Sequence, residues 1–302
     1  MNAAAPSQVA VWISALRPKT LGASLCPVLV GATIARVDGV FAWEPVLAAL
    51  SGALFLQIAS NLANDLFDGL RGTDGAARVG PRRAVGSGLV SPRAMAAALG
   101  LSLVLAAMPA AWLAAHAGPA FLLIGGVGAI CAVGYTAPPL ALAYRGLGDV
   151  FVFAFFGPIA VAGTRAACDG AWTTPALFCG IATGAIGVCL LATNNLRDEA
   201  GDRASGKRTI VVRFGAPFVR ALVHACVMSA IAVPIVAALA FGLPKGVMLA
   251  SLAAAVLGGL ASPRASAAGG EPFGFRLAMF GLLLYAYGVA FAIGARFDWG
   301  VG

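Results

Sequence analysis

The sequence predicts an all-α integral membrane protein, a bundle of nine transmembrane helices with a functional site on its cytoplasmic side. Three observations predict it. First, 60% of the 302 residues are hydrophobic and 11% are charged, against roughly 45–50% and about 25% in soluble domains. Second, the apolar residues gather into runs of about 20, the length that crosses a bilayer as a helix. Third, threading those runs alternately through a membrane puts 16 of the 20 Lys and Arg on one side. That is the positive-inside asymmetry.

Taken in order, the predicted spans cover residues 19–37, 42–62, 94–115, 118–137, 148–168, 174–196, 218–241, 244–262 and 274–296. The first is read as a span and not as a leader, because no small-residue cleavage site precedes the second. Several spans hold internal Gly or Pro, which lipid-embedded helices tolerate. The basic side receives Arg17 and Lys19, five Arg between spans 2 and 3, Arg145, six basic residues after span 6, and Arg264 and Arg276. Arg36, Arg165, Lys245 and Arg296 fall opposite. The N-terminus is therefore expected in the cytoplasm, and the protein in a bacterial cytoplasmic (inner) membrane. The net charge of +8 is mostly topological. Nucleic-acid binding is not expected, since the basic residues lie in short loops. No linker divides the chain, so residues 1–302 are read as one domain. The six cysteines are scattered without a C-x-x-C pair, so they read as small apolar packing residues.

Two acidic clusters interrupt this apolar pattern. Asn61, Asn64, Asp65 and Asp68 close span 2; Asn195, Asp198, Glu199 and Asp202 close span 6. Each reads i, i+3, i+4, i+7, so each puts four polar groups on one helix face. Acids at the ends of membrane spans are costly unless they hold something positive. Four spans separate the clusters, so both return to the cytoplasmic side and can share one mouth.

Facing carboxylates and amides suit Mg²⁺, which prefers oxygen ligands and completes its shell with water and substrate phosphates. Arg78, Arg82, Arg83, Lys207 and Arg208 stand in the adjoining loops and could clamp the remaining phosphate oxygens; topological signalling alone accounts for some of them. An apolar body below such a head site could house a lipid tail. Together these parts imply a lipid diphosphate whose C–O bond is broken, with cations stabilising the departing diphosphate. A secondary transporter is the competing class. Transporters place their site near the midplane, and here no span centre carries a carboxylate. A lipid-binding scaffold without chemistry would leave the acids repelling one another.

The two motifs carry a family resemblance. Asn61-Leu-Ala-Asn64-Asp65-Leu-Phe-Asp68, followed by Gly72-Thr73-Asp74, resembles the first aspartate-rich motif of the UbiA superfamily of intramembrane prenyltransferases. Asn194-Asn195-Leu-Arg197-Asp198-Glu-Ala-Gly-Asp202-Arg203-Ala-Ser-Gly206-Lys207-Arg208-Thr209 resembles the second. Within the superfamily three features resemble the branch acting on 1,4-dihydroxy-2-naphthoate. They are Arg17-Pro18-Lys19-Thr20-Leu21, the loop from Arg78 through Pro81-Arg82-Arg83 to Gly88, and Asn-Asn-Leu-Arg-Asp in the second motif. The superfamily expects a further acid at position 72. This chain has Gly72, with Asp74 two residues on.

The resemblance implies a nine-helix fold and Mg²⁺ held by Asn64, Asp65, Asp68, Asp198 and Asp202, with Asn61 and Asn195 at the substrate. It implies ionisation of a polyprenyl diphosphate and attack on the naphthoate at its carboxyl-bearing carbon, with CO₂ leaving to give demethylmenaquinone. Sister acceptors such as 4-hydroxybenzoate, homogentisate or a chlorin are the alternative. Tyr135 is the candidate for stabilising the allylic cation through its ring face. Phe151, Phe153, Phe155 and Phe156 read either as further cation partners or as packing bulk. Lys19 reads either as an anchor for the acceptor carboxylate or as a snorkelling interfacial residue. Asp149 reads either as a helix cap or as part of the site.

Overall fold

The computed structural model describes residues 7–72, 83–263 and 272–297, apart from the Lys19 side chain. Among these the regular structure is entirely helical. The chain opens with α1 (Gln8–Leu16), whose first turn is closed by the Ser7 hydroxyl accepting from the Ala10 N–H at 3.3 Å. Arg17 then takes a left-handed conformation (φ 52°), a cost that non-glycine residues bear mainly at functional or turning points. A 3₁₀ turn at Pro18–Thr20 leads into α2 (Gly22–Val37). Next come α3 (Trp43–Leu70), α4 (Pro92–Ala117) and α5 (Ala120–Gly134). The fifth predicted span is two helices, α6 (Gly148–Phe155) and α7 (Pro158–Ala166). They break at Gly157-Pro158, where proline removes a donor and its ring opposes helix continuation. Then follow α8 (Thr174–Ala204), α9 (Ile210–Ala240), α10 (Lys245–Ala261) and α11 (Phe273–Gly294). α9 bends at Gly215 (φ 81°). α10 begins as 3₁₀ and relaxes through a π turn at Ala254–Gly258.

Among the described residues, six helical stretches are long and apolar enough to cross a bilayer: α3, α4, α6 with α7, α8, α9 and α11. α2, α5 and α10 are apolar but shorter. The exposed surface carries Leu101, Val104, Leu123 and Leu239, each at least 60% accessible. A soluble protein would hide so continuous an apolar coat; here it suits lipid. α8 is the central pillar. In its apolar window 72% of residues are buried, against 22–44% in the other five stretches. α8 packs tightly on α9, as α3 does on α4. The break between α6 and α7 lets backbone meet backbone on α8: a Cβ added to Gly184 would stand 3.1 Å from Gly157 Cα.

The ends of two helices differ from expectation. Spans 2 and 6 were expected to stop near 62 and 196, whereas α3 runs to Leu70 and α8 to Ala204. Each acidic cluster is thus helical throughout and sits in the last turns. There the peptide dipoles sum to partial negative charge, so five acids gather where a helix least favours them.

Candidate active site

Between α2, α3, α5, α6, α8 and α11 lies a cavity of about 1100 Å³. Its head is polar. Asn61, Asn64 and Asp65 reach it from α3, and Asn195, Asp198 and Asp202 from α8. The two clusters that sequence spacing placed on one side therefore meet at one chamber. Its body is apolar, walled by small residues such as Ala53 and Gly128 and by Phe151, Phe155 and Phe156. It continues to Ala48, near the other end of α3. From Asp65 to Ala48 is about 25 Å of helix.

Each carboxylate at the head has a distinct set of partners. Asp68 is fully buried behind the cavity wall. It accepts from the Tyr144 hydroxyl (2.9 Å) and Lys207 Nζ (2.8 Å), and pairs with Arg83 Nη2 (3.0 Å). Lys207 follows α8, so this one carboxylate ties the second motif to the first. Asp65 accepts from the backbone N–H groups of Ala84 (3.0 Å) and Val85 (2.9 Å), which fixes the start of the segment leading to α4. Asp198 is gripped by Arg197 through Nε (2.7 Å) and Nη2 (2.6 Å). Glu199 pairs with Arg203 (3.1 Å) at the exposed end of the helix.

The amides are engaged as well. The Asn64 side-chain oxygen accepts from Arg83 Nη1 and from Arg17 Nη2 (3.3 Å), and its nitrogen donates to Thr136 Oγ1 (3.1 Å). Asn61 donates to the Leu16 carbonyl (3.0 Å) and Thr20 Oγ1 (3.1 Å), pinning the left-handed turn at Arg17 to α3. Tyr144 stands between cations, with Arg71 4.1 Å and Lys207 5.1 Å from its ring centre. Such stacking adds a modest attraction to the hydrogen bond it makes with Asp68. Burial foremost, and the Asp68 charge next, raise the Tyr144 phenol above its ordinary pKa. Tyr135 lines the cavity.

The remaining residues singled out by sequence divide cleanly. Arg83 and Lys207 line the cavity. Arg208 is exposed and lies outside the cavity wall, where its backbone N–H donates to the Tyr144 carbonyl (3.3 Å). Asp149 is buried in the first turn of α6, where the N-cap residue is Leu147, and does not line the cavity. Arg78, Arg82, Asp74 and the side chain of Lys19 lie outside the described residues. Sequence reasoning gave no site role to Arg17, Thr136 or Arg197. The signal for Arg17 was present: an arginine directly before proline, at a helix break, inside an otherwise apolar lead-in.

A profile of the UbiA prenyltransferase family matches residues 24–271. The chain belongs to the UbiA prenyltransferase family. Among its relatives, the 1,4-dihydroxy-2-naphthoate octaprenyltransferase of Mycobacterium tuberculosis is 41% identical over 68% of this chain and 70% of that one. The enzyme of the same name from Escherichia coli is 37% identical over 74% of each chain. The UbiA fold is shared with solved homologues. One from Aeropyrum pernix K1 superposes with a TM-score of 0.68 at 19% identity, over 92% of this chain and 97% of that one. One from Archaeoglobus fulgidus, bound to GPP and Mg²⁺, gives 0.64 at 17% identity, over 95% of this chain and all of the other. As a family member the protein is an intramembrane prenyltransferase, and its polar cavity head with an apolar body has the form that such an enzyme needs.

Proposed function

We propose that this UbiA prenyltransferase transfers a polyprenyl group from polyprenyl diphosphate to 1,4-dihydroxy-2-naphthoate. CO₂ and diphosphate leave, and demethylmenaquinone forms in its quinol state. The observation that carries the reaction type is the single cavity, acidic and basic at one end and apolar along about 25 Å of helix below. The acceptor rests on the relatives at 37–41% identity, which are named for it.

The head residues fit magnesium. Asn64, Asp65, Asn195, Asp198 and Asp202 offer an all-oxygen donor set on the cavity wall. Among the described residues no three acidic, His or Cys side chains close around a metal by themselves. Magnesium is ordinarily held by one or two carboxylates with substrate phosphates and water. Bound between these residues and the diphosphate, it would supply charge neutralisation of the leaving group. Arg83 and Lys207 bind the outer phosphate oxygens. Asp68 and Tyr144 hold those two cations in place. Tyr135 presents a neutral ring to the allylic carbon as positive charge develops there. The alanine, glycine and phenylalanine walls exclude water from that carbon. Attack by the carbon bearing the carboxylate interrupts aromaticity, and loss of CO₂ restores it.

The three shorter apolar helices α2, α5 and α10 complete nine crossings in this reading. The N-terminus and both acidic ends lie on the cytoplasmic face of a bacterial cytoplasmic membrane. Sister acceptors are the second reading, because they share the whole metal and diphosphate site. Dihydroxynaphthoate labelled in its carboxyl group separates the two. Release of labelled CO₂ in step with prenylated product is expected. Product that keeps the label, or preference for 4-hydroxybenzoate, would transfer the protein to a sister branch.

A further inference from the structure

We infer that Arg197 is a diphosphate-binding residue that exchanges partners during binding. It holds the Asp198 carboxylate until diphosphate arrives, then turns to the phosphate and leaves Asp198 to magnesium. The inference rests on the proposed diphosphate chemistry of this cavity and assigns a residue that the motif spacing alone did not.

Three arginine pairs in this protein show why. Arg165 is buried and joins Asp38 (2.7 Å), Asp169 and the Ala171 carbonyl. It fastens the end of α2, α7 and the following turn to one another, which is a structural duty. Arg203 is 62% exposed and pairs with Glu199 one turn away, a solvated helix pair worth little. Arg197 is of neither kind. Both of its hydrogen bonds go to the residue beside it on the same helix, so the pair ties no two elements together. Its side chain is only 17% exposed, and it lines the cavity with Asp198 and Asp202.

Helix geometry sharpens the point. Neighbouring residues leave a helix about 100° apart and do not ordinarily face each other. The Arg197 guanidinium has swung round to reach Asp198 on the cavity side. Its planar fork covers both carboxylate oxygens. The same fork matches two phosphate oxygens. While the fork is in place Asp198 is poorly disposed to ligate a cation. Turning the fork away without a new anion would give up both hydrogen bonds to Asp198 with nothing in return. A diphosphate supplies that anion. Metal and diphosphate binding should therefore reinforce each other through this residue, as two ligands biasing one two-state element.

The test measures binding, not turnover, on purified full-length protein in detergent. Mn²⁺ binding without diphosphate is followed by the loss of the free-ion paramagnetic signal. Labelled inorganic diphosphate binding is followed by equilibrium dialysis at fixed Mg²⁺. In Arg197→Gln the two should move in opposite directions: Mn²⁺ alone binds several-fold tighter, and diphosphate at least about tenfold weaker. Arg197→Lys should recover part of the diphosphate affinity, since an ammonium keeps the charge but not the fork. Both affinities unchanged, or both falling together with the melting temperature, would overturn the exchange and leave a merely structural pair. Wild-type protein that binds no diphosphate even with Mg²⁺ would remove the proposed function and this inference together. Those failures are therefore told apart by the wild type.

Discussion

Asp68 and Asp198 belong to matching motifs, but replacing each with asparagine should have different consequences. Asp68 is fully buried and balances Lys207 and Arg83 while accepting from Tyr144. An asparagine there keeps the shape but removes the buried negative charge that Lys207 and Arg83 share. Breaking a buried pair in this way costs about 3–5 kcal/mol. For a chain of this size that corresponds to a drop in melting temperature on the order of 10 °C. Asp198 is 28% exposed and, among the described residues, is held by its own neighbour Arg197. After solvent screening its pair contributes about 0–1 kcal/mol, so Asp198→Asn should melt within about 3 °C of wild type. Prenyl transfer should nevertheless fall in both, on the order of 10²–10⁴-fold, as expected when charge at a leaving-group site is lost. The assay pairs detergent melting, read as loss of the monodisperse gel-filtration peak, with transfer of a labelled polyprenyl group. Equal melting temperatures for Asp68→Asn and wild type would refute the account of Asp68 as the node joining the motifs. Full activity in Asp198→Asn would refute the shared site.

Tyr144→Phe removes one hydrogen bond to Asp68 and keeps the ring between Arg71 and Lys207, so stability should fall by about 1 kcal/mol. Burial and Asp68 raise this phenol. The bond is therefore fully present below the ordinary tyrosine value of about 10 and is lost only as pH rises through the raised one. The difference in melting temperature between variant and wild type should accordingly stay flat from about pH 7 to 9. A gap that closes within that range would contradict the assignment. Topology is checked with single cysteines at Ser87 and Ala204, both exposed, in a background lacking the six native cysteines. An impermeant reagent should label both from the cytoplasmic side and neither from the other; labelling from opposite sides would exclude a common chamber.

The chamber was legible in the sequence because its determinants are local. The i, i+3, i+4, i+7 spacing of Asn61 through Asp68 and of Asn195 through Asp202 fixes a face, and the four predicted spans between them bring both faces to one side. What stayed hidden depends on tertiary contact. Nothing in the spacing says that Asp68 points into protein while Asp65, three residues earlier, lines the cavity. Nor does it say that Asp65 spends both oxygens on backbone N–H groups some twenty positions on. The break at Gly157-Pro158 was written in the dipeptide, but apolar periodicity continues across it and disguised two helices as one. The role of Tyr144 stayed hidden because its partners, Asp68 and Arg71 at the end of α3 and Lys207 beyond α8, lie far from it along the chain.

The reach of α3 and α8 has a consequence for the direction of the reaction. At 28 and 31 residues they measure about 42 and 47 Å, well beyond the roughly 30 Å of hydrocarbon. Their acidic ends therefore stand among headgroups and water while the cavity body stays in oil. For a transfer of the proposed kind, diphosphate and the prenylated ring part at that boundary into separate phases. Diphosphate is hydrated as it leaves, and the prenylated ring remains dissolved among acyl chains. Reversal would require both to return to one chamber from media that hold them apart. A helix end a few turns too long for its membrane thus sets the direction in which each product leaves, diphosphate into water and the prenylated ring into lipid.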